Sequence, residues 1–156
     1  MEKVANIGIS LNIAVLGAGH VGTALAAWFS SQGATTTLWA PHDHPGILSS
    51  AFENKAHIRS EGLLEGTHEV AVADSLESAV ESASLLVVAT RSDAHQGLVE
   101  DLRRLGARIS GKEILVICGR GFAIRFAHLL QFDKIVETDN SPVTSKLIGM
   151  SPRLFS

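Results

Sequence analysis

Three short apolar runs stand out because they do not alternate with polar residues: NIAVL (12–16), SLLVVAT (84–90) and EILVIC (113–118). Runs of that length and character predict strands buried on both faces. TTTLW (35–39) is β-branched and predicts another strand, and KIVET (134–138) a last one. Between them the period changes to that of a helix. Val21, Leu25, Trp28 and Phe29 recur at helical spacing with small residues between, and Gly33 closes that helix. Leu98, Leu102 and Leu105 repeat in DAHQGLVEDLRRLG (93–106), which also ends at a glycine, and AIRFAHLLQ (123–131) predicts a further helix.

Two segments are less regular. APHDHPG (40–46) is a loop by its prolines and glycine. Residues 47–72 leave room for a short strand and a hairpin-like excursion, from FENKAHIRSEG and THEVAVA. After them Asp74 is placed to cap the helix SLESAVESA, with Glu77 at the capping-box position. Asp93 is likewise placed to cap the helix after the fourth strand, with His95 on its first turn. DNSPVTSK breaks the last strand. Strands separated by helices predict an α/β fold: an open, doubly wound, mainly parallel sheet in three layers, α/β/α, of the Rossmann type.

The first strand runs into GAGHVG (17–22), a G-x-G-x-x-G pattern with strand before and helix after. Each glycine has its own task in binding a dinucleotide. Gly17 permits the sharp turn, Gly19 lets the backbone approach a pyrophosphate, and Gly22 lets the helix lie close to the strand. The helix start adds free N–H groups and the positive end of its dipole. Ala18, His20 and Val21 complete the loop, and His20 is placed either to donate to a phosphate oxygen or simply to fill a permissive position. The rival reading is a tight turn in another α/β protein, such as a methyltransferase-like one.

Specificity between nucleotides is read at the end of the second strand. An acid there would hold both ribose hydroxyls and repel a 2′-phosphate; here Ala40 follows Trp39. NADP is the cofactor this predicts, with NAD possible through Asp43 in the loop. His42, His44 and Arg59 are candidates to face the 2′-phosphate, Arg59 the strongest because its guanidinium can fork onto phosphate oxygens. Thr90, Arg91 and Thr138 follow strand ends and are candidates for the cofactor crevice. His42, Asp43, His44 and His57 do not predict a metal site, because an x-spaced pair in a proline-bounded loop does not enforce convergence.

Composition narrows the classes. Hydrophobic residues make up 46% and charged residues 19% of the 156, which suits one buried core. A formal net charge of −3 and 5% aromatics with no tyrosine disfavour a nucleic-acid surface. No run approaches the ~18 apolar residues of a membrane span, and MEKVANIGISLN lacks a signal-peptide pattern, so a cytoplasmic location is expected. Cys118 is read as a small residue of a buried strand rather than a reactive thiol.

Together, IAVLGAGHVGTALAAWFSSQGATTTLWAPHDHPG and VETDNSPVTSK resemble the octopine/nopaline synthase group of opine dehydrogenases, and SLESAVESASLLVVAT fits the helix and strand between them. The resemblance covers residues 12 to 150, with Ser141, Pro142 and Lys146 matching the second segment in type. It implies an NAD(P)-dependent reductive condensation of an amino acid with an α-keto acid. It also implies a separate C-terminal domain that carries the catalytic residues, so none is assigned here. On this reading residues 1–11 are an extension, 12–150 a nucleotide-binding domain, and the chain a truncated or split form with little activity alone, which would pair with a separate catalytic domain or with a second copy. Arg91 departs from the family's apolar or proline residue, Val143 from an aromatic, and Lys146 from arginine. Two alternatives stand beside it: a stand-alone dinucleotide-binding regulatory module, and a ketopantoate reductase-like enzyme.

Overall fold

A computed structural model of the chain describes residues 11–50, 55–148 and 151–153. The expected N-terminal extension therefore lies, Leu11 apart, outside the described residues. In order, the chain forms β1 (Asn12–Leu16), α1 (His20–Ser31), β2 (Thr35–Trp39), β3 (Lys55–Ser60), β4 (Gly66–Val72), α2 (Leu76–Glu81), β5 (Leu85–Val88), α3 (His95–Leu105), β6 (Glu113–Val116), α4 (Phe122–Phe126), β7 (Lys134–Glu137), β8 (Lys146–Ile148) and β9 (Ser151–Arg153). The first seven strands make one sheet in the order β3-β4-β2-β1-β5-β6-β7. All pairings in it are parallel except that of β3 with β4.

Alternate residues of each central strand feed two cores, which is why the apolar runs do not alternate. Ile13 and Val15 join Leu25, Ala26 and Ala27 of α1 on one face. Ala14 and Leu16 join Val80 of α2, Leu98 and Leu102 of α3 and Phe122 of α4 on the other. The sheet is thus wound on both faces, a three-layer Rossmann-type architecture, and the winding reverses beside β1.

Several local expectations change. Apart from Leu25, the buried residues of α1 are small (Gly22, Thr23, Ala24, Ala26 and Ala27), whereas Trp28 is 45% exposed and stacks edge-on against Phe29. Small residues bring the helix axis close to the sheet, which leaves no room beneath it for an indole. Helix α2 is capped by Ser75, not Asp74: its hydroxyl accepts from the Ser78 N–H (3.0 Å), and Ser78 returns the bond to the Ser75 N–H (3.2 Å), so Ser78 takes the place expected of Glu77. Glu77 instead pairs with Arg108. The last predicted helix is shorter, because after Phe126 the chain tightens into a turn over Ala127–Leu129. Residues 47–72 supply β3 and β4, and β4 extends the sheet beyond β2.

Strand β6 ends at Val116, two residues before the predicted limit. Cys118 lies beyond it, half-buried, with φ 53°. Its N–H is diverted to the Thr138 hydroxyl (3.1 Å), which takes it out of the sheet ladder. Arg120 also has positive φ, at 49°. Two non-glycine residues in the left-handed region make this a strained turn, held by the bonds to Thr138 and by Glu137 accepting from the Ala123 N–H (3.1 Å).

Candidate functional site

A cleft of about 800 Å³ opens above the C-terminal ends of β1, β2 and β5. It sits where the strand order reverses, the place where open α/β sheets bind ligands. Its size falls within the range of small-molecule sites.

The floor is the glycine loop. Gly17 has φ +120°, and a Cβ there would lie 2.8 Å from the Ala89 carbonyl oxygen. A Cβ on Gly22 would strike the Gly17 carbonyl, so the start of α1 lies directly on the turn. Gly19 is different: among the described residues nothing lies within 4 Å of where its Cβ would be, and it stands at the α1 start. The Gly17 N–H donates to the Trp39 carbonyl (2.7 Å), and the buried Thr23 hydroxyl donates to the Ala18 carbonyl (3.2 Å), so the loop is fixed from both sides. A backbone surface kept bare at Gly19 and rigid at Gly17 and Gly22 fits a dinucleotide pyrophosphate.

Of the cofactor candidates picked out in the sequence, Gly17, Ala18, Gly19, Trp39, Asp43, His44, Thr90 and Arg91 line this cleft. His20 and Val21 begin α1, and the His20 carbonyl accepts from the Ser145 hydroxyl (2.8 Å). That bond brings the TSK segment, distant in sequence, to the glycine loop. From the loop after β2 the lining residues are Pro41, Asp43 and His44 rather than Ala40 and His42. Ala40 packs into the α1-side core, and His42 is exposed.

Arg59 lies elsewhere. It pairs with Thr67 across the β3–β4 ladder, while Ala71 of β4 is the residue level with Thr37 of β2. Four residues separate Thr67 from Ala71, about 13 Å along the strand and away from the cleft end. Thr138 is engaged in the turn above: its hydroxyl accepts from Cys118 and donates to the Asn140 carbonyl (2.8 Å).

Sequence reading did not pick out Gly46. It has φ +56°, its Cβ would strike the Ala18 carbonyl, and the neighbouring Ile47 N–H donates to that same oxygen (3.1 Å). The loop after β2 is thereby pinned onto the glycine loop. The Pro45–Gly46 step carried the signal for a special turn, but not for its contact. Gly97, Leu98 and Asp101, on the cleft-facing side of α3, were also unforeseen.

At the β5 end of the cleft, polar atoms are left over. The Thr90 Oγ1 is buried and has no hydrogen-bond partner among the described residues. Asp93 does not cap α3, whose N-cap is Ala94 with no side-chain bond; it pairs with Arg91 instead. His95 is fully buried, with its ring edge-on to Phe122 at 5.2 Å. Neither ring nitrogen makes a hydrogen bond of normal geometry. Burial holds its pKa below the usual 6.5; the Thr90 carbonyl nearby pulls the other way, Arg125 adds to the lowering, and Asp93 and Glu137 oppose it.

Among the described residues no group of three or more His, Cys, Asp or Glu side chains gathers as a metal site would require. No helix among them is long and apolar enough to cross a membrane.

Comparison with known proteins agrees with this geometry. Residues 12–148 match the family described as the NAD-dependent glycerol-3-phosphate dehydrogenase N-terminus. The chain is 45% identical over 139 residues to the D-nopaline dehydrogenase of Agrobacterium tumefaciens (strain T37), covering 89% of this chain and 34% of that protein. It is 31% identical over 140 residues to a glycerol-3-phosphate dehydrogenase [NAD(P)+] of Parvibaculum lavamentivorans, covering 89% of this chain and 40% of that one. Its fold resembles that of a PanE/ApbA family ketopantoate reductase from Ralstonia eutropha JMP134, with a TM-score of 0.70 at 20% identity, over 92% of this chain and 46% of the other. The chain spans about a third of the length of the D-nopaline dehydrogenases it matches.

Proposed function

The chain belongs to the NAD-dependent glycerol-3-phosphate dehydrogenase N-terminus family, and from that premise we propose that it binds a pyridine dinucleotide for an opine dehydrogenase-type oxidoreductase. The observation that carries this reading is the asymmetry of the three glycines. Gly17 and Gly22 are closed by backbone, and Gly19 alone is open toward the cleft. Gly19 also lines the cleft at the start of α1, so its bare backbone is presented to a ligand there.

In this reading the pyrophosphate lies over Gly19 and the start of α1, where N–H groups and the helix dipole favour negative charge. Trp39 and the Pro41–His44 loop flank the adenosine half, and Thr90 and Arg91 the nicotinamide half. We take NADP(H) as the ligand, because Ala40 stands where an NAD-specific acid is expected. Asp43 in the cleft wall is the specific observation that favours NAD(H) instead. A reduced nicotinamide, when bound, supplies a hydride. The residues of this chain bind and orient the dinucleotide and cover one side of it; none of them is assigned a proton transfer.

The reaction we assign to the site is the reductive condensation of an amino acid with an α-keto acid, supported by the identity to D-nopaline dehydrogenase. The 156 residues then supply the cofactor half of that reaction, in the cytoplasm, where reduced nucleotide is available. Titration of the purified chain with NADPH and NADH, followed by nicotinamide fluorescence, tests the proposal. Saturable binding that is lost in Gly19→Val, with circular dichroism unchanged, is the expected result. Failure of both nucleotides to bind at millimolar concentration overturns it.

A further inference from the structure

Just beyond β5, the cleft carries a guanidinium whose partner is its own near neighbour. Arg91 donates from Nε to Asp93 Oδ1 (3.2 Å) and from Nη2 to Oδ2 (2.8 Å). This is the forked geometry that Arg makes with any carboxylate or phosphate. Both side chains are open to solvent, 87% and 65% exposed, so the pair is weakly held and screened by salt.

The charge inventory of the cleft makes that pair consequential. Its lining includes three acids, Asp43, Asp93 and Asp101, and among the described residues that line it Arg91 is the only Lys or Arg. Asp101 is engaged by Arg104 (2.6 Å), and Asp43 lies 3.9 Å from His44 Nε2. Whether the cleft offers a permanent positive charge therefore depends on whether Asp93 holds Arg91.

We propose that Arg91 is an exchangeable anion clamp and that Asp93 is its internal stand-in ligand. An oxyanion entering the cleft takes the guanidinium fork from Asp93. The chemistry is that of a carboxylate or phosphate oxygen pair, with two sources: the carboxylate of a 2-oxo acid, or a phosphate of the dinucleotide. The inference rests on the nucleotide-binding reading above for its setting, and Asp93 acts by competition, setting how tightly the anion is held.

Competition gives the two residues effects of opposite sign. Asp93→Asn removes the competitor, so anion affinity rises about two- to fivefold, the worth of an exposed ion pair. Arg91→Gln removes the fork, so affinity falls about tenfold or more, as expected for losing a charge-assisted bond. A clasp that merely shaped the turn would lower affinity in both variants.

The experiment follows the arginine Nε–H resonances of the full 156-residue chain by NMR, with Arg91 assigned from the signal missing in Arg91→Gln. Pyrophosphate and pyruvate are titrated separately, each with and without NADPH. A saturable Arg91 shift with pyrophosphate or NADPH assigns the clamp to the cofactor; one that needs pyruvate assigns it to the keto acid. Absence of any Arg91 shift with either anion, or affinity changes of the same sign in the two variants, overturns the clamp. Thermal unfolding of both variants confirms that each remains folded. An unsubstituted chain that binds no NADPH yet shows the Arg91 shift would refute the nucleotide reading and leave the clamp standing.

Discussion

On the α1 side of the cleft, the surface is backbone: Gly17, Ala18, Gly19 and the pinned Gly46, with no charged side chain in the loop floor. On the β5–α3 side it is side chains: Thr90 with its hydroxyl unpartnered among the described residues, Arg91 forked onto Asp93, and His95 buried behind them without a hydrogen bond of normal geometry. The first side is closely packed and tolerates no added atom at Gly17, Gly22 or Gly46. The second holds polar groups that have not found their best partners. A preformed backbone cradle suits a pyrophosphate, which backbone N–H groups can hold without a charged side chain. Loosely partnered side chains suit the part that changes from one reaction to another.

The packed side is the easiest to break. Gly22→Ala drives a methyl group into the Gly17 carbonyl, and Gly46→Ala drives one into the Ala18 carbonyl at a positive φ. Each is expected to cost about 3 kcal/mol or more, because backbone on both sides cannot yield. Chemical denaturation should show a lower midpoint for both. Wild-type stability in either variant would mean that the loop is softer than its contacts imply.

The polar side responds to pH. His95 is held neutral by burial, with a folded pKa below its unfolded value near 6.5. Above pH 6.5 both states are neutral and the ring contributes no pH dependence. As pH falls through 6.5 toward the lowered folded value, the unfolded chain takes up a proton that the folded one resists, so stability is lost. His95→Phe keeps an aromatic edge against Phe122 and removes two buried ring nitrogens that lack hydrogen bonds of normal geometry. The variant should be at least as stable at pH 7 and should lose less melting temperature than the wild type between pH 7 and 5.5. Parallel curves would remove His95 from the account.

The smallest effect separates two neighbouring residues. Ser75→Ala removes the cap of α2 and should cost about 1 kcal/mol, whereas Asp74→Ala should cost close to nothing. Equal losses by thermal melting would restore Asp74 to the role its sequence position suggests.

That exchange of caps shows where one-dimensional reading fails. Asp74 and Ser75 are both good N-caps, and the choice between them depends on where the chain leaves β4, which no local pattern encodes. The same holds for Asp93, a plausible cap by type, which Arg91 claims instead. Trp28 followed the helical period but fell outside the buried face, because small residues set how close α1 sits to the sheet. Arg59 had the right chemistry and the wrong end of a strand: reversal of β3 against β4 carries it away from the cleft.

By itself the sequence determined the strand–helix alternation, the mainly parallel sheet, and the need for glycine at Gly17 and Gly22, where the turn and the start of α1 close on each other. Those features follow from local periodicity and from what a residue without a Cβ permits. Only the tertiary structure decided that Gly46 locks onto Ala18, that Ser145 returns to the start of α1, and that Arg91 is clasped by Asp93 in an acid-lined cleft. Each of those is a contact between groups whose meeting depends on chain path or side-chain rotamer, and an amino-acid pattern records neither.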